Sequence, residues 1–148
     1  MNTRVILLVE DDPRDELLTL RALRKSKISN DVVVAHDGVE ALAYLFGVDG
    51  RSPRPVVDLP AMVLLDLKLP KIDGLEVLRR VRADPRTVIL PVIIMTSSNE
   101  DQDRLAGYRA GANSFVRKPV ESRAFADAVE RVGLYWLHLN EQPPPTGE

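Results

Sequence analysis

The sequence contains no cysteine among its 148 residues. Disulfides and thiolate metal sites are therefore excluded, and the absence fits a reducing compartment, where disulfides are rare. The sequence also lacks a long hydrophobic run. The first apolar stretch ends at Val9 and is followed at once by Glu10, Asp11 and Asp12, and no later stretch approaches the length of a membrane span. Such a stretch is too short for a signal peptide or a membrane span. We therefore expect a cytoplasmic protein that does not contact a membrane.

An excess of positive charge is also missing. The formal net charge is -2 at pH 7, which weighs against nucleic acid as the main partner because phosphate backbones demand a basic face. The composition, 45% hydrophobic and 28% charged, is ordinary for a globular domain of one apolar core. We expect a single domain over residues 1–140, a Pro-rich tail over 141–148 and no output domain.

Short apolar runs alternate with amphipathic segments along the chain. The predicted strands are residues 5–9, 31–35, 61–65, 91–95 and 114–117. The segments between them carry apolar residues at helical spacing and predict five helices, whereas residues 47–60 are rich in Pro, Gly and Arg and predict a long surface loop. Strands that alternate with helices predict an α/β fold, a doubly wound parallel sheet with helices on both faces.

Polar side chains follow four of the five predicted strands. In strand order they are Glu10, Asp11, Asp66, Thr96 and Lys118. Reactive groups of parallel α/β sheets gather at the carboxyl ends of the strands. Each residue alone has an ordinary explanation: Asp11 or Asp12 as a helix cap, Thr96 as a cap or turn residue, and Lys118 as a surface charge. Their joint occurrence at the same edge favours a functional site.

Three carboxylates on one rim predict a bound cation. Two carboxylates about 5 Å apart repel by roughly 3 kcal/mol at an effective dielectric near 20. Mg²⁺ offsets this repulsion, since it binds carboxylates, carbonyls and phosphate oxygens together. Lys118 can pair with Asp66 and then with a phosphoryl oxygen, and the Thr96 hydroxyl is a further donor. The pattern predicts Asp66 as a nucleophile toward phosphorus.

Four segments resemble the receiver domain of bacterial response regulators. They are VEDDP (9–13), LLDLKLPKIDG (64–74), MTSS (95–98) and FVRKP (115–119). The resemblance implies the flavodoxin-like receiver fold, with strand order 2-1-3-4-5 and five helices. It also implies a phosphoacceptor switch that assists its own phosphorylation and dephosphorylation, and not an enzyme that turns over a separate substrate.

The resemblance further implies a role for individual residues. Asp66 would be the phosphoacceptor. The implied ligands of Mg²⁺ (or Mn²⁺) are Glu10, Asp11, Asp66 and the backbone carbonyl of Lys68. The implied phosphoryl-binding and switch residues are Thr96, Ser97, Lys118 and Phe115, and a cis peptide bond is implied at Pro119. Phe115 stands where the family often has tyrosine or histidine, so the switch residue has no hydroxyl that could form a hydrogen bond. Lys68 is a long basic side chain two residues after the phosphoacceptor, and it bears on the lifetime of the phosphorylated form.

Loop 47–60 and the ending 134–145 are similar to those of stand-alone regulators that serve phytochrome-type histidine kinases. This resemblance implies a sensor histidine kinase, of the bacteriophytochrome type, as the phosphoryl donor. The signal would then pass to a phosphotransfer protein or another effector. An ordinary loop insertion and an ordinary tail are the alternative interpretation of the same two segments.

The final helix predicts a homodimer. At about 100° per residue, one stripe is assigned to the core and comprises Phe125, Val129, Val132 and Trp136. Leu134, Tyr135 and Leu137 lie outside it, and apolar groups clustered on one helix favour a symmetric partner surface. The alternative is that the Pro-rich tail covers these side chains.

Two other function classes share parts of this pattern. Phosphohydrolases of the haloacid dehalogenase type also use an aspartate nucleophile with Mg²⁺, but their aspartate follows the first strand, and this chain has no room for their cap domain. A flavodoxin-like cofactor binder needs a phosphate-binding loop after the first strand, where Glu10, Asp11 and Asp12 would repel a phosphate. An assay for phosphoester turnover and an absorbance scan for flavin separate these alternatives.

Overall fold

The computed structural model describes residues 4–144; residues 1–3 and the last part of the predicted tail, 145–148, lie outside this range. The strands are β1 (Ile6–Val9), β2 (Val32–Ala35), β3 (Met62–Leu65), β4 (Val92–Thr96) and β5 (Ser114–Arg117). The helices are α1 (Pro13–Lys25), α2 (Gly38–Phe46), α3 (Gly74–Ala83), α4 (Asp101–Ala110) and α5 (Ser122–Leu134). One turn of π-helix (Tyr135–Leu139) continues α5.

The five strands form one parallel sheet in the order β2-β1-β3-β4-β5, which confirms the predicted fold class and strand order. Its register brings the strand ends level. Val9 pairs with Leu65, so that Glu10 and Asp66 follow side by side. Thr96 pairs with Arg117, directly before Lys118. The residues predicted to carry the chemistry therefore lie at one edge of the sheet.

Each face of the sheet has its own core. Leu7 and Val9 point to the side covered by α2 and α3, whereas Ile6 and Leu8 point to the side covered by α1 and α5. This alternation is the pleat of a strand that is buried on both faces. Between residues 4 and 144, no helix is both long and apolar enough to cross a membrane.

The end of the last helix corrects one prediction. Phe125 and Val129 are buried, and Val132 and Trp136 pack partly against the same core, as predicted. Leu137, however, is only 9% exposed and belongs to that core as well, so it is not part of a dimer surface. A π-helical turn holds more residues than an α-helical one, so the projection at 100° per residue fails beyond Leu134.

The predicted surface loop 47–60 is partly ordered against the domain. It contains a short 3₁₀ turn (Val56–Asp58), and Val56 and Leu59 are buried. The Arg54 guanidinium lies 3.7 Å from the centre of the Tyr44 ring, and its Nε donates to the Tyr44 carbonyl at 2.6 Å. These contacts fix the middle of the loop to α2.

Candidate functional site

A buried lysine lies at the centre of the polar edge. Lys118 Nζ donates to Glu10 Oε1 at 2.7 Å, to Asp66 Oδ2 at 2.8 Å and to Asp15 Oδ2 at 2.8 Å. Lys118, Glu10 and Asp66 are all buried. An ammonium group has three N–H donors, and here each of them has a carboxylate partner.

Three carboxylates fit a divalent cation. Oxygens of Glu10, Asp11 and Asp66 lie within 4.8 Å of one another, and Asp11 is exposed to solvent. Hard oxygen donors at this spacing suit Mg²⁺ or Mn²⁺, and a cation bound there would neutralise negative charge on a phosphoryl group. The backbone N–H of Lys68 donates to Asp66 Oδ1 at 3.2 Å. The role of the Lys68 carbonyl as a ligand stays a prediction.

The environment shifts the pKa of both Glu10 and Lys118. Burial raises the pKa of Glu10 to about 7, and the hydrogen bond from Lys118 offsets only part of this effect. Burial alone would lower the pKa of Lys118, but its hydrogen bonds to Asp15, Asp66 and Glu10 outweigh it, and the pKa lies above its usual range. The Lys118 side chain thus stays charged. Glu10 takes up a proton near neutral pH unless a metal ion is bound beside it.

The start of α1 shows which of the acidic residues Asp11 and Asp12 caps the helix. Asp12 caps the helix, since its Oδ1 accepts the N–H groups of Arg14 at 2.8 Å and Asp15 at 3.2 Å. Pro13 is the first helical residue, a position that needs no N–H donor. Asp11 is therefore left for the acidic cluster, and Asp15 lies in the first turn, within reach of Lys118.

Gly74 allows the loop after β3 to close under Asp66. A Cβ atom at this position would lie 2.2 Å from the Asp66 carbonyl oxygen, so only glycine fits. The Gly74 N–H donates to the Leu67 carbonyl at 2.9 Å. The Asp73 side chain then caps α3 by accepting the N–H of Glu76 at 3.0 Å. These contacts hold the backbone of Asp66 in place and so position its carboxylate.

The structure brings Thr96 close to Lys118, with Phe115 further along the same strand pair. Thr96 is fully buried at the end of β4, and its carbonyl accepts the N–H of Lys118 at 2.7 Å. Ser97 is exposed. Phe115 pairs with Ile94, two residues before Thr96, and its ring centroid lies 6.3 Å from that of Tyr108 in α4. Their phosphoryl-binding and switch roles stay predictions.

The prediction of a cis peptide bond at Pro119 is wrong for this structure. All peptide bonds between residues 4 and 144 are trans. The trans isomer of a bond to proline is the more stable one by about 0.5–1 kcal/mol, and Lys118 reaches its three carboxylates with this isomer in place.

Sequence reasoning missed two contacts of the site. Asp15 was not predicted, although the alternation of side chains along the strands contains a signal. The apolar residues two positions before Glu10, Asp66 and Lys118 face α1, so these three polar side chains point toward that helix as well. The apolar residues are Leu8, Leu64 and Val116. The second contact lies beside the site, where Asp103 Oδ2 is 3.5 Å from Lys68 Nζ and accepts the Ser98 hydroxyl at 2.5 Å. The Ser98 hydrogen bond lowers the pKa of Asp103.

Known proteins share both the sequence and the fold. Residues 6–130 match the response regulator receiver domain family. Response regulator Rcp1 of Synechocystis sp. is 35% identical over 142 residues, which cover 95% of this chain and 93% of Rcp1. The crystal structure of its Mn²⁺-bound form superposes with a TM-score of 0.84 at 34% identity, over 95% of this chain and 99% of that chain.

Two further solved structures are similar. The phosphorylated cyanobacterial phytochrome response regulator RcpA is 32% identical, with a TM-score of 0.85 over 97% of this chain and 100% of that chain. The bacteriophytochrome response regulator AtBRR is 50% identical, with a TM-score of 0.70 over 95% of this chain and 100% of that chain. Receiver domains bind a divalent metal and are phosphorylated on aspartate by histidine kinases, and the polar edge described above fits that chemistry. This chain belongs to the family of response regulator receiver domains.

Proposed function

We propose that this chain is a response regulator that accepts a phosphoryl group on Asp66 and signals through a protein surface that changes with phosphorylation. The donor is the phosphohistidine of a sensor histidine kinase, and the protein acts with Mg²⁺ (or Mn²⁺) in the cytoplasm, where such kinases use ATP. The observation that carries the proposal is the position of the buried Lys118 ammonium, 2.8 Å from Asp66 Oδ2.

The contacts of Asp66 suit a phosphoryl transfer. The P–N bond of the phosphohistidine breaks, its electron pair stays on the histidine nitrogen, which takes a proton, and a P–O bond to the Asp66 carboxylate forms. Charge spreads over the phosphoryl oxygens in the transition state, and Lys118 is placed to neutralise it. The same contacts assist loss of the phosphoryl group to water, so the chain promotes both directions of its own switch.

The test is phosphotransfer from a histidine kinase, or labelling by acetyl phosphate, with the site located by mass spectrometry. We expect Asp66→Asn to abolish labelling and to keep the fold, because the substitution preserves size and removes the nucleophile. Asp12→Asn is a matched control, since it changes an acid of the same rim while asparagine also caps helices well. A phosphoryl group found on Asp11 or on a histidine would overturn the assignment.

For the kinase, we propose a partner of the bacteriophytochrome type. The proposal is supported by the 50% identity to the bacteriophytochrome response regulator AtBRR and by the likeness to the phytochrome response regulator RcpA. Phosphotransfer to this chain should be faster from a phytochrome-type kinase than from unrelated sensor kinases. Equal rates from all of them would contradict the pairing.

For the output, we propose that Thr96 and Phe115 respond to the phosphoryl group. Phosphorylation adds about -1.5 to -2 charge and three acceptor oxygens, and the Thr96 hydroxyl is expected to turn toward them. Phe115 follows, and because its ring packs against Gly107 and Tyr108 of α4, α4 and β5 rearrange. A phosphotransfer protein or another effector would bind there. Amide exchange should change in α4 and β5; changes confined to α1 would contradict the proposal.

A second proposal is a homodimer through the end of the last helix. After the correction at Leu137, the support comes from the exposed apolar side chains Leu134, Tyr135 and Leu139, the last of which is 71% exposed. Light scattering at micromolar concentration should show a dimer that shifts toward monomer in Leu134→Asp/Leu139→Asp. Val48→Asp, at an exposed apolar residue of the loop after α2, is the control. A wild type that stays monomeric, bare and phosphorylated, would contradict the dimer.

A further inference from the structure

Asp15 contacts the same ammonium group, that of Lys118, as the phosphoacceptor Asp66, but it belongs to a different part of the molecule. Its Oδ2 lies 2.8 Å from Lys118 Nζ, as close as Asp66 Oδ2. Asp66 follows a strand, whereas Asp15 lies in the first turn of α1. Its side chain is 24% exposed, and its carboxylate is a full partner of the lysine.

We propose that Asp15 competes with the phosphoryl group on Asp66 for the Lys118 ammonium and thereby limits how tightly the site holds that group. The inference rests on the proposed function, in which Asp66 is the phosphoacceptor. Asp15 is a positioning residue in this scheme, because it acts through Lys118.

The hydrogen-bond capacity of Lys118 is the first reason. All three N–H donors are already directed at carboxylates, those of Glu10, Asp15 and Asp66. A phosphoryl group on Asp66 can take over the donor that the free Asp66 carboxylate used, so a second bond from Nζ to the phosphoryl group requires that Glu10 or Asp15 gives way. The bond that Asp15 holds is therefore withheld from the phosphoryl group.

Charge is the second reason. Two anions bound to one ammonium lie close enough to repel each other, and the repulsion is only partly screened because three quarters of the Asp15 side chain is shielded from water. Removal of the charge at residue 15 should therefore favour the phosphoryl-bound state over the free state.

The test is an affinity measurement with beryllium trifluoride, a mimic of the phosphoryl group, at saturating Mg²⁺, followed by fluorine NMR. Asp15→Asn keeps the size of the side chain and an oxygen that accepts a hydrogen bond, and it removes the charge. We expect it to bind the mimic about tenfold more tightly than the wild type, a change in the range that one short-range charge interaction produces.

Glu16→Gln is the matched control. Glu16 lies in the same turn, has the same 24% exposure and pairs with His36 at 3.0 Å in place of Lys118. We expect its affinity to stay within about twofold of the wild type, because its charge does not engage the ammonium. Equal tightening in both variants would mean a general charge effect and would overturn the inference.

Other outcomes are equally decisive. An unchanged or weaker affinity in Asp15→Asn, in a protein that melts cooperatively, would overturn the competition. Asp15→Ser repeats the test if the asparagine variant does not fold. A wild type that binds no mimic, or an Asp66→Asn variant that binds it, would instead refute the proposed function.

Discussion

Two shielded cations at opposite edges of the sheet show how one fold uses positive charge in two ways. Lys118, at the carboxyl edge, has three carboxylate partners, and its pKa is raised. Arg82, on α3, donates to the carbonyls of Gly111, Val88 and Leu90 at 2.7 to 3.0 Å. Burial without a balancing anion lowers the pKa of Arg82.

Lys118 and Arg82 differ in whether their hydrogen-bond partners can be exchanged. A carboxylate beside Lys118 can be replaced by another anion, because an ammonium group can donate to any oxygen in a suitable position. The partners of Arg82 are backbone carbonyls and the Asn113 side chain, which hold the ends of α3 and α4 to the starts of β4 and β5. We infer that Lys118 serves a switch, whereas Arg82 serves a permanent junction.

The largest effect is expected for Lys118→Met. Loss of the ammonium leaves the two buried carboxylates of Glu10 and Asp66 without their counter-charge, and we expect a loss of about 4 kcal/mol in the free energy of unfolding in the presence of a chelator. Millimolar Mg²⁺ should restore part of it, because a cation replaces the missing charge. Urea unfolding with and without Mg²⁺ measures both. Lys25→Met, at an exposed lysine of α1, is the control and should change little.

A somewhat smaller effect is expected for Arg82→Met, about 3 kcal/mol, since several carbonyls lose a charged donor and regain water only in part. Mg²⁺ should not restore this loss. Arg80→Met, an exposed change on the same helix, should cost under about 1 kcal/mol. Equal rescue of the Lys118 and Arg82 variants by Mg²⁺ would contradict the comparison between the two cations.

The third effect is a pH dependence of the free energy of unfolding that should be specific to the Lys118 edge. Glu10 has a pKa of about 7 in the folded chain against 4.5 as the ordinary value. The folded state therefore binds more protons than the unfolded state between these values, so this contribution to stability is lost as the pH rises from about 4.5 to about 7. Urea unfolding in chelator should show a shallower loss in Glu10→Gln than in the wild type.

The same titration should be sensitive to metal. A cation near Glu10 favours the ionised carboxylate, so saturating Mg²⁺ should reduce the pH slope of the wild type and leave that of Glu10→Gln nearly unchanged. Identical slopes for wild type and variant, with and without Mg²⁺, would show that Glu10 does not titrate in this window.

Periodicity and residue type determined the fold and most of the site. The five apolar runs predict five strands because strands buried on both faces read as continuous hydrophobic sequence, and the structure has them within one residue of the predicted ends. Parallel strands end at one edge, so Glu10, Asp66, Thr96 and Lys118 meet there for a reason that the sequence already contains.

Tertiary structure decided which residues of distant elements touch. Asp15 meets Lys118 across 103 residues of chain because the packing of α1 against the sheet brings its first turn to that edge. The acceptors of Arg82 are backbone carbonyls, which no side-chain pattern marks. Leu137 is buried because a π-helical turn rotates it into the core. Sequence fixes which groups are available and the periodicity of each element, whereas the angles at which elements pack decide which of those groups touch.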